Sequence, residues 1–363
     1  MKIVLCIISL FAVSLFKAQS TDSLLYQLTC IENDTESVNQ LYGQGFSLRN
    51  TDPSSAQQFA DACYKKANKS GSAKHLAKAF NLLGILNYKQ NHYSEALQFQ
   101  TKALKLNQSI NNLNGCAINL SNLGNIYSDI NYFSLAESSY LEALQLNNKL
   151  GNTKEITRCL INIAALNHTQ KQNEIAVLNL KMALIYANNI GDYELIATCN
   201  NNIGVALVED NILDTALLYF QDALKMRTII DDEVDLANSY INIANVLVKQ
   251  KQFSEAQNYI SLAENACNTY QILDEMVILY QVKADFYEAQ SNFQLANEFL
   301  KKHQHLKDSL TTINNQPPEI INATQPELTE NNQNLYSIKT VVFITLAGIF
   351  LSTIISYFLF RKK

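Results

Sequence analysis

Apolar residues recur along this chain at two spacings, one nested inside the other. At short range they follow a helix: Ala117 to Tyr127 reads A-I-N-L-S-N-L-G-N-I-Y and puts Leu120, Leu123, Ile126 and Tyr127 on one face. A polar break, Ser128-Asp129-Ile130-Asn131, separates it from a second helical run, Leu135 to Leu150. The two runs predict a helical hairpin. Ser134 and Glu137 have the spacing of a capping box for the second helix, Ser254 and Gln257 repeat it, and Asp214 supplies a single-residue version.

At long range the spacing is 40 residues. Small residues stand at Gly84, Gly124, Ala164, Gly204, Ala244 and Ala284, and an alanine follows each after 12 positions, from Ala96 to Ala296. Seven residues further on come Ala103, Ala143, Ala183, Ala223 and Ala263, until His303 breaks the series. A period in this range marks a stacked repeat array. The small residues have a steric reason, because packed helices approach to about 8–10 Å and the crossing point tolerates little side chain. Gly71, Asn111, Gly151, Gly191, Asp231 and Gln271 form a second lattice with the same period, suited to left-handed helix C-caps.

Asn122-Leu123-Gly124-Asn125-Ile126-Tyr127, followed by Ala136, Tyr140 and Ala143, resembles the tetratricopeptide repeat family in a 40-residue variant of its usual 34-residue unit. The aromatic after the lattice small residue is replaced by Asn87, Asn167 and Leu207 in three repeats. The resemblance implies an all-α fold, a right-handed superhelical solenoid of helical hairpins. Residues 73–310 are expected to hold six repeats, and residues 21–72 a degenerate N-terminal capping repeat in which Gln44 replaces the small residue.

The ends of the chain read differently. Residues 1–20 look like an export signal: a basic start at Lys2, an apolar run from Ile3 to Phe16, and Ala18-Gln19-Ser20 as a cleavage site. Residues 339–360 are expected to form one C-terminal transmembrane helix, since Thr340 to Phe360 carries no charge and spans about 31 Å as a helix. Arg361-Lys362-Lys363 follows as a cytoplasmic basic tail, which puts the repeats on the periplasmic side of the inner membrane. Residues 311–338 hold Pro317, Pro318 and Pro326 and read as a flexible linker with a reach of about 30 Å.

A net charge of −5 argues against nucleic acid as a partner. Six cysteines follow the signal, without a C-x-x-C spacing, and most are expected to be small buried apolar residues. His303 and His305 point to different sides of a helix and have no third ligand, so no metal or other cofactor is expected. With no nucleophile motif either, the chain reads as a non-enzyme.

The remaining constellation is polar. Asn122, Asn162, Asn202 and Asn242 form a strict ladder two residues before each lattice small residue, and Asn81, Asn125 and Asn245 lie on the same face. In the family this resembles, the first helix of each hairpin lines a concave groove that contacts peptides. The ladder is therefore a candidate site for an extended peptide backbone, with a staple between hairpins as the competing reading. Lys78, Arg158 and Lys249 are scattered along the same helices, which speaks against a clamp for a terminal carboxylate. The expected function is a membrane-anchored, extracytoplasmic protein- or peptide-binding scaffold. The array, together with Leu306-Lys307-Asp308-Ser309-Leu310, also resembles the extracytoplasmic region of bacterial sensor kinases. That leaves a second reading, a sensory subunit or remnant that works through a membrane signalling partner.

Overall fold

The computed structural model describes residues 21–314, with side chains to residue 310. The expected signal, membrane span and basic tail lie outside the described residues, as does most of the expected linker. Among the described residues there are fifteen helices and no strand, and no helix is long and apolar enough to cross a membrane. The chain opens with α1 (Thr21–Cys30), α2 (Asp34–Leu48) and α3 (Pro53–Ser70). Pairs then follow in a fixed rhythm: α4 (Ala73–Lys89) with α5 (Tyr93–Ser109), α6 (Leu113–Asp129) with α7 (Phe133–Leu150), and α8 (Thr153–Thr169) with α9 (Asn173–Ile190). The last three pairs are α10 (Tyr193–Glu209) with α11 (Leu213–Ile229), α12 (Glu233–Lys249) with α13 (Phe253–Tyr270), and α14 (Leu273–Ala289) with α15 (Phe293–Asn314). Helix α15 continues past the boundary expected at Leu310 and runs into the segment read as a linker.

The turns explain the rhythm. A residue in the left-handed region recurs every 20 positions, at 71, 91, 111 and onward to 291. One set is the cap lattice expected from Gly71, Asn111, Gly151, Gly191, Asp231 and Gln271. The other set, Asn91, Asn131, Lys171, Asn211, Lys251 and Ser291, closes the first helix of each pair and contains no glycine. For a residue with a Cβ this conformation costs about 1–2 kcal/mol, which the closing hydrogen bonds offset. The N–H of the next residue reaches back five positions, as in Tyr132 N to Tyr127 O at 2.8 Å and Gln252 N to Leu247 O at 2.9 Å.

Capping falls elsewhere than expected. Helices α7 and α13 start with Tyr132 and Gln252 at the N-cap and without a side-chain cap bond, so Ser134 and Ser254 sit inside the first turn. Asp214 is likewise inside the first turn of α11, where it accepts from Gln250 of the next pair at 2.7 Å. The residue after each left-handed turn is already the N-cap, which leaves no room for a box further on. Side-chain caps fall on several first helices, where Asn112 accepts from Gly115 N at 3.2 Å and Asp192 from Leu195 N at 3.1 Å. They also fall on the second helices α3 and α15, where Asp52 and Asn292 accept from Ser55 N at 3.0 Å and Leu295 N at 3.3 Å.

The lattice glycines mark the close crossings. A Cβ on Gly124 would lie 2.5 Å from the Tyr140 ring, and one on Gly204 would lie 2.6 Å from the Phe220 ring. Both aromatic partners stand sixteen residues after their glycine. Sixteen residues after Ala164 and Ala244 stand the smaller Leu180 and Ile260, also buried. Bulk on one helix therefore trades against bulk on the other. In the α2–α3 pair the close approach shifts by one residue to Gly45, whose Cβ would lie 3.2 Å from Ala56 O on α3 and 2.8 Å from Leu82 on α4. That pair has no left-handed turn residue.

Each second helix packs on its own first helix and on the next one. Successive first helices also touch, whereas successive second helices make no comparable contact. The first helices therefore line the narrower side of the stack.

Candidate functional site

Each first helix leaves one stripe open on that narrower side, because its other faces are covered by second helices and neighbours. On α6 the stripe is Asn114, Ile118, Ser121, Asn122, Asn125 and Asp129, the spacing of a single helical face. The asparagine ladder lies on this stripe. Asn122, Asn125, Asn162, Asn202, Asn242 and Asn245 are half-buried there, while Asn81 is buried.

The amides are tied to one another across helices. Asn122 Nδ2 donates to Asn81 Oδ1 at 2.9 Å, and Asn242 Nδ2 makes the equivalent bond to Asn201 Oδ1, also at 2.9 Å. Asn162 has no asparagine at the equivalent place, since position 121 is a serine, and it donates to Asn125 Oδ1 at 3.3 Å. Tyr140 Oη donates to that same oxygen at 2.7 Å. Asn202 differs: its Oδ1 receives only a long bond, 3.4 Å, from Asn201 in its own helix. The staple is thus present at Asn122, Asn162 and Asn242, and it uses Nδ2. Their Oδ1 atoms accept no hydrogen bond from the described residues and are not sealed from water. Such a row of acceptors matches the N–H groups of an extended backbone.

Behind the stripe lies a buried network that the ladder pattern does not reveal. Asn119, 1% exposed, donates to Gln100 Oε1 at 2.7 Å and to Asn81 Oδ1 at 3.1 Å, and its own oxygen accepts from Asn107 at 2.8 Å. Gln100 donates to Asn81 O, and Asn81 donates to Tyr42 Oη. Three periods after Asn107 stands Arg227, 5% exposed, bound to Ser239 Oγ at 2.6 Å and Asn238 Oδ1 at 3.3 Å, with Asp235 at 3.8 Å. Its buried Nε has no partner. Asn238 donates in turn to the Glu275 carboxylate at 3.2 Å. Burial pushes the carboxyls of Asp235 and Glu275 above their ordinary values, and Arg227 offsets part of that rise.

Charge on the open stripe leans from basic at α4 to acidic at α10 and α14, with Asp129 on α6 and Lys249 on α12 running against the trend. Besides Lys78, which the sequence singled out, α4 places Lys74 and Lys89 on it, and this helix has no carboxylate. Helix α10 presents Glu194 and Glu209 and no Lys or Arg, and α14 presents Asp274 and Asp285. The spacing of Lys74 and Lys89 from Lys78 was available in the sequence; only the stripe shows that all three face one way.

Cys63, Cys116, Cys159, Cys199 and Cys267 are buried free thiols, and burial raises the thiol of Cys63 and of Cys199 to about 12. Cys30 is exposed, so five of the six follow the expectation that most are buried. His303 is held by Val277 O at 2.9 Å. Among the described residues, no group of three or more His, Cys, Asp or Glu is placed to hold a metal ion.

Residues 76–114 and 119–150 each match the tetratricopeptide repeat family. Among curated proteins none matches the sequence. Several solved structures share the fold. The apo form of RapI is similar with a TM-score of 0.61 at 15% identity, over 76% of this chain and 99% of its own. Aspartyl phosphate phosphatase F from Bacillus subtilis gives 0.57 at 15% identity, over 82% and 86%. NprR in complex with its cognate peptide NprX gives 0.54 at 17% identity, over 89% and 97%.

Proposed function

We propose that this chain, whose residues 76–114 and 119–150 match the tetratricopeptide repeat family, is a binding scaffold whose first-helix stripe takes up an extended segment of a partner protein. The row of unoccupied Oδ1 acceptors on Asn122, Asn162 and Asn242 carries this reading. NprR, which shares the fold, is held in complex with a peptide, and this supports the same class of ligand here. In this proposal the stack is a right-handed superhelix with the stripe on its concave side. The chain is exported by residues 1–20 and anchored in the inner membrane by residues 339–360, so that the groove faces the periplasm.

The test is photo-crosslinking in intact cells, with the probe at Ser121 or Ile161. Asn202 is the informative substitution, because it makes no bond to a neighbouring hairpin. Asn202→Ala is expected to keep the thermal midpoint and to lose capture of a discrete protein segment. Unchanged capture in Asn202→Ala and in Asn162→Ala would show that the ladder only staples the stack.

One observation favours the second reading. Helix α15 has 22 residues where the other second helices have 17 or 18, so helix continues beyond the last repeat. A sensory subunit that passes a signal to a membrane partner needs such a connector. Crosslinking from Lys307 or Ser309 to a membrane protein, dependent on groove occupancy, distinguishes it from a passive scaffold.

A further inference from the structure

We propose that the segment bound along the stripe is bipolar, with carboxylates against α4 and cations against α10–α14; this rests on the groove reading above and adds the chemistry of the partner. The argument starts from which charges the protein has already neutralised. In the middle of the stripe Lys154 pairs with Asp192 at 2.8 Å and Arg158 with Glu155 at 3.1 Å. At the ends most of the charges are left open. Lys74 and Lys89 pair with no carboxylate among the described residues, and Lys78 is held by the neutral Asn39 amide at 2.6 Å and lies 4.9 Å from the centre of the Tyr42 ring. At the other end Glu209 is already engaged by Lys171 at 3.5 Å, and Lys249 adds one cation on α12. Glu194 and Asp274, however, form no ion pair among the described residues, and Asp285 accepts only an amide, from Gln281 at 2.8 Å, so the end stays acidic.

Distance keeps the two ends separate. Neighbouring packed helices lie about 10 Å apart, so five steps from α4 to α14 cover roughly 50 Å, which an extended chain of about 15 residues spans at 3.3 Å each. At physiological salt the Debye length is about 8 Å. Each end of the stripe is therefore screened from the other, and each selects its own counter-charge. A segment of one sign would meet its own charge at one end, and like charges brought together suppress a wrong partner more than they weaken a right one. Between the ends the asparagine row is neutral and reads backbone, so the order of charges along the segment carries the discrimination.

The experiment uses the full chain and a displayed library of random 15-residue segments. Enriched segments are expected to carry acidic residues at one end and basic residues at the other, with binding that weakens steeply as salt is raised. Synthetic copies are then measured against Lys74→Glu/Lys89→Glu and against Asp274→Lys/Asp285→Lys, all at exposed or half-buried positions. Either double reversal is expected to cost roughly tenfold or more in affinity. The fourfold reversal should recover binding with the segment turned end for end, as read from a crosslinker at Ser121. Enrichment of neutral or single-sign segments that ignore both reversals, yet still crosslink at Ser121, overturns the bipolar inference and leaves the groove reading standing. If no segment is enriched, or none crosslinks at Ser121, the groove reading falls as well.

Discussion

The seam between α5 and α6 and the seam between α11 and α12 occupy the same place in the repeat and are built from opposite chemistry. In the first, Asn107, Asn119, Gln100 and Asn81 form a neutral amide network in which each side chain has partners. In the second, a guanidinium fills the equivalent position with one buried N–H left over. The lattice does not demand polarity here: the same pair of positions is Ala187 and Cys199 in one repeat, and Cys267 and Leu279 in another. Both polar seams are therefore additions to a joint that apolar packing alone can make. A saturated neutral network punishes any gap, whereas a charge with half-open neighbours can fall back on water.

The largest effect should break the first seam. Asn119→Ala strands Gln100 Oε1 and the Asn107 amide in the interior and removes one of the bonds to Asn81 Oδ1, at about 1–3 kcal/mol per orphaned group, so a loss near 3 kcal/mol is expected. Arg227→Met should cost only about 1 kcal/mol, because Asp235 is half-exposed and can turn to solvent when its cation goes. Chemical denaturation of the two variants measures both. Equal losses would mean that the seams are energetically alike despite their chemistry.

A smaller effect sharpens the comparison by testing what the joints share. Gly204→Ala drives a Cβ into the Phe220 ring and should cost about 1–2 kcal/mol, even though alanine is the better helix former. Combined with Phe220→Leu it recreates the pairing of Ala164 with Leu180, and most of that cost should vanish. A double-mutant cycle with no coupling would refute the trade of bulk across the crossing.

Much of this architecture could be read directly. The 40-residue lattice announced the hairpins, and Gly71, Gly151 and Gly191 announced the left-handed caps, because glycine leaves a visible mark where φ is positive. The alternate turns escaped notice since Asn, Lys and Ser occupy them and closure there depends on backbone bonds. The hydroxyls of Ser134 and Ser254 had the right spacing for capping boxes but stood two residues too late. For the site, the ladder from Asn122 to Asn242 was legible as a stripe. Its neighbours were not: Asn119 and Gln100 lie nineteen residues apart on different helices, and only the packing of α5 against α6 brings them together.

The smallest effect separates the regions by pH. Asp235 and Glu275 keep their protons in the folded chain above their ordinary values of 3.8 and 4.5, chiefly because burial disfavours the charged form. In the window above those values the unfolded chain binds fewer protons than the folded one, so their contribution to stability falls as pH rises and is largest below it. The opposite sign holds at α10. Burial works against ionised Asp192 and Glu209, but contacts from Lys154 to the first and from Asn173, His168 and Lys171 to the second outweigh it and lower both. Their contribution is present above the ordinary carboxylate value and is lost as pH falls. In the amide network only Tyr42 titrates, and burial raises its phenol further above neutrality, so that seam should be flat. Hydrogen exchange, corrected for the intrinsic rate, reads each region in one sample. Protection in α12 relative to α6 should decline from about pH 4 toward neutrality, while protection at the start of α10 should hold above about pH 4 and fall as the pH is lowered below it. In Arg227→Met the α12 slope should steepen, since the cation that offsets burial has gone. An α12 that stays flat in both proteins would mean that Asp235 and Glu275 reach water freely, and the charged seam would then differ from the amide seam only in its contacts.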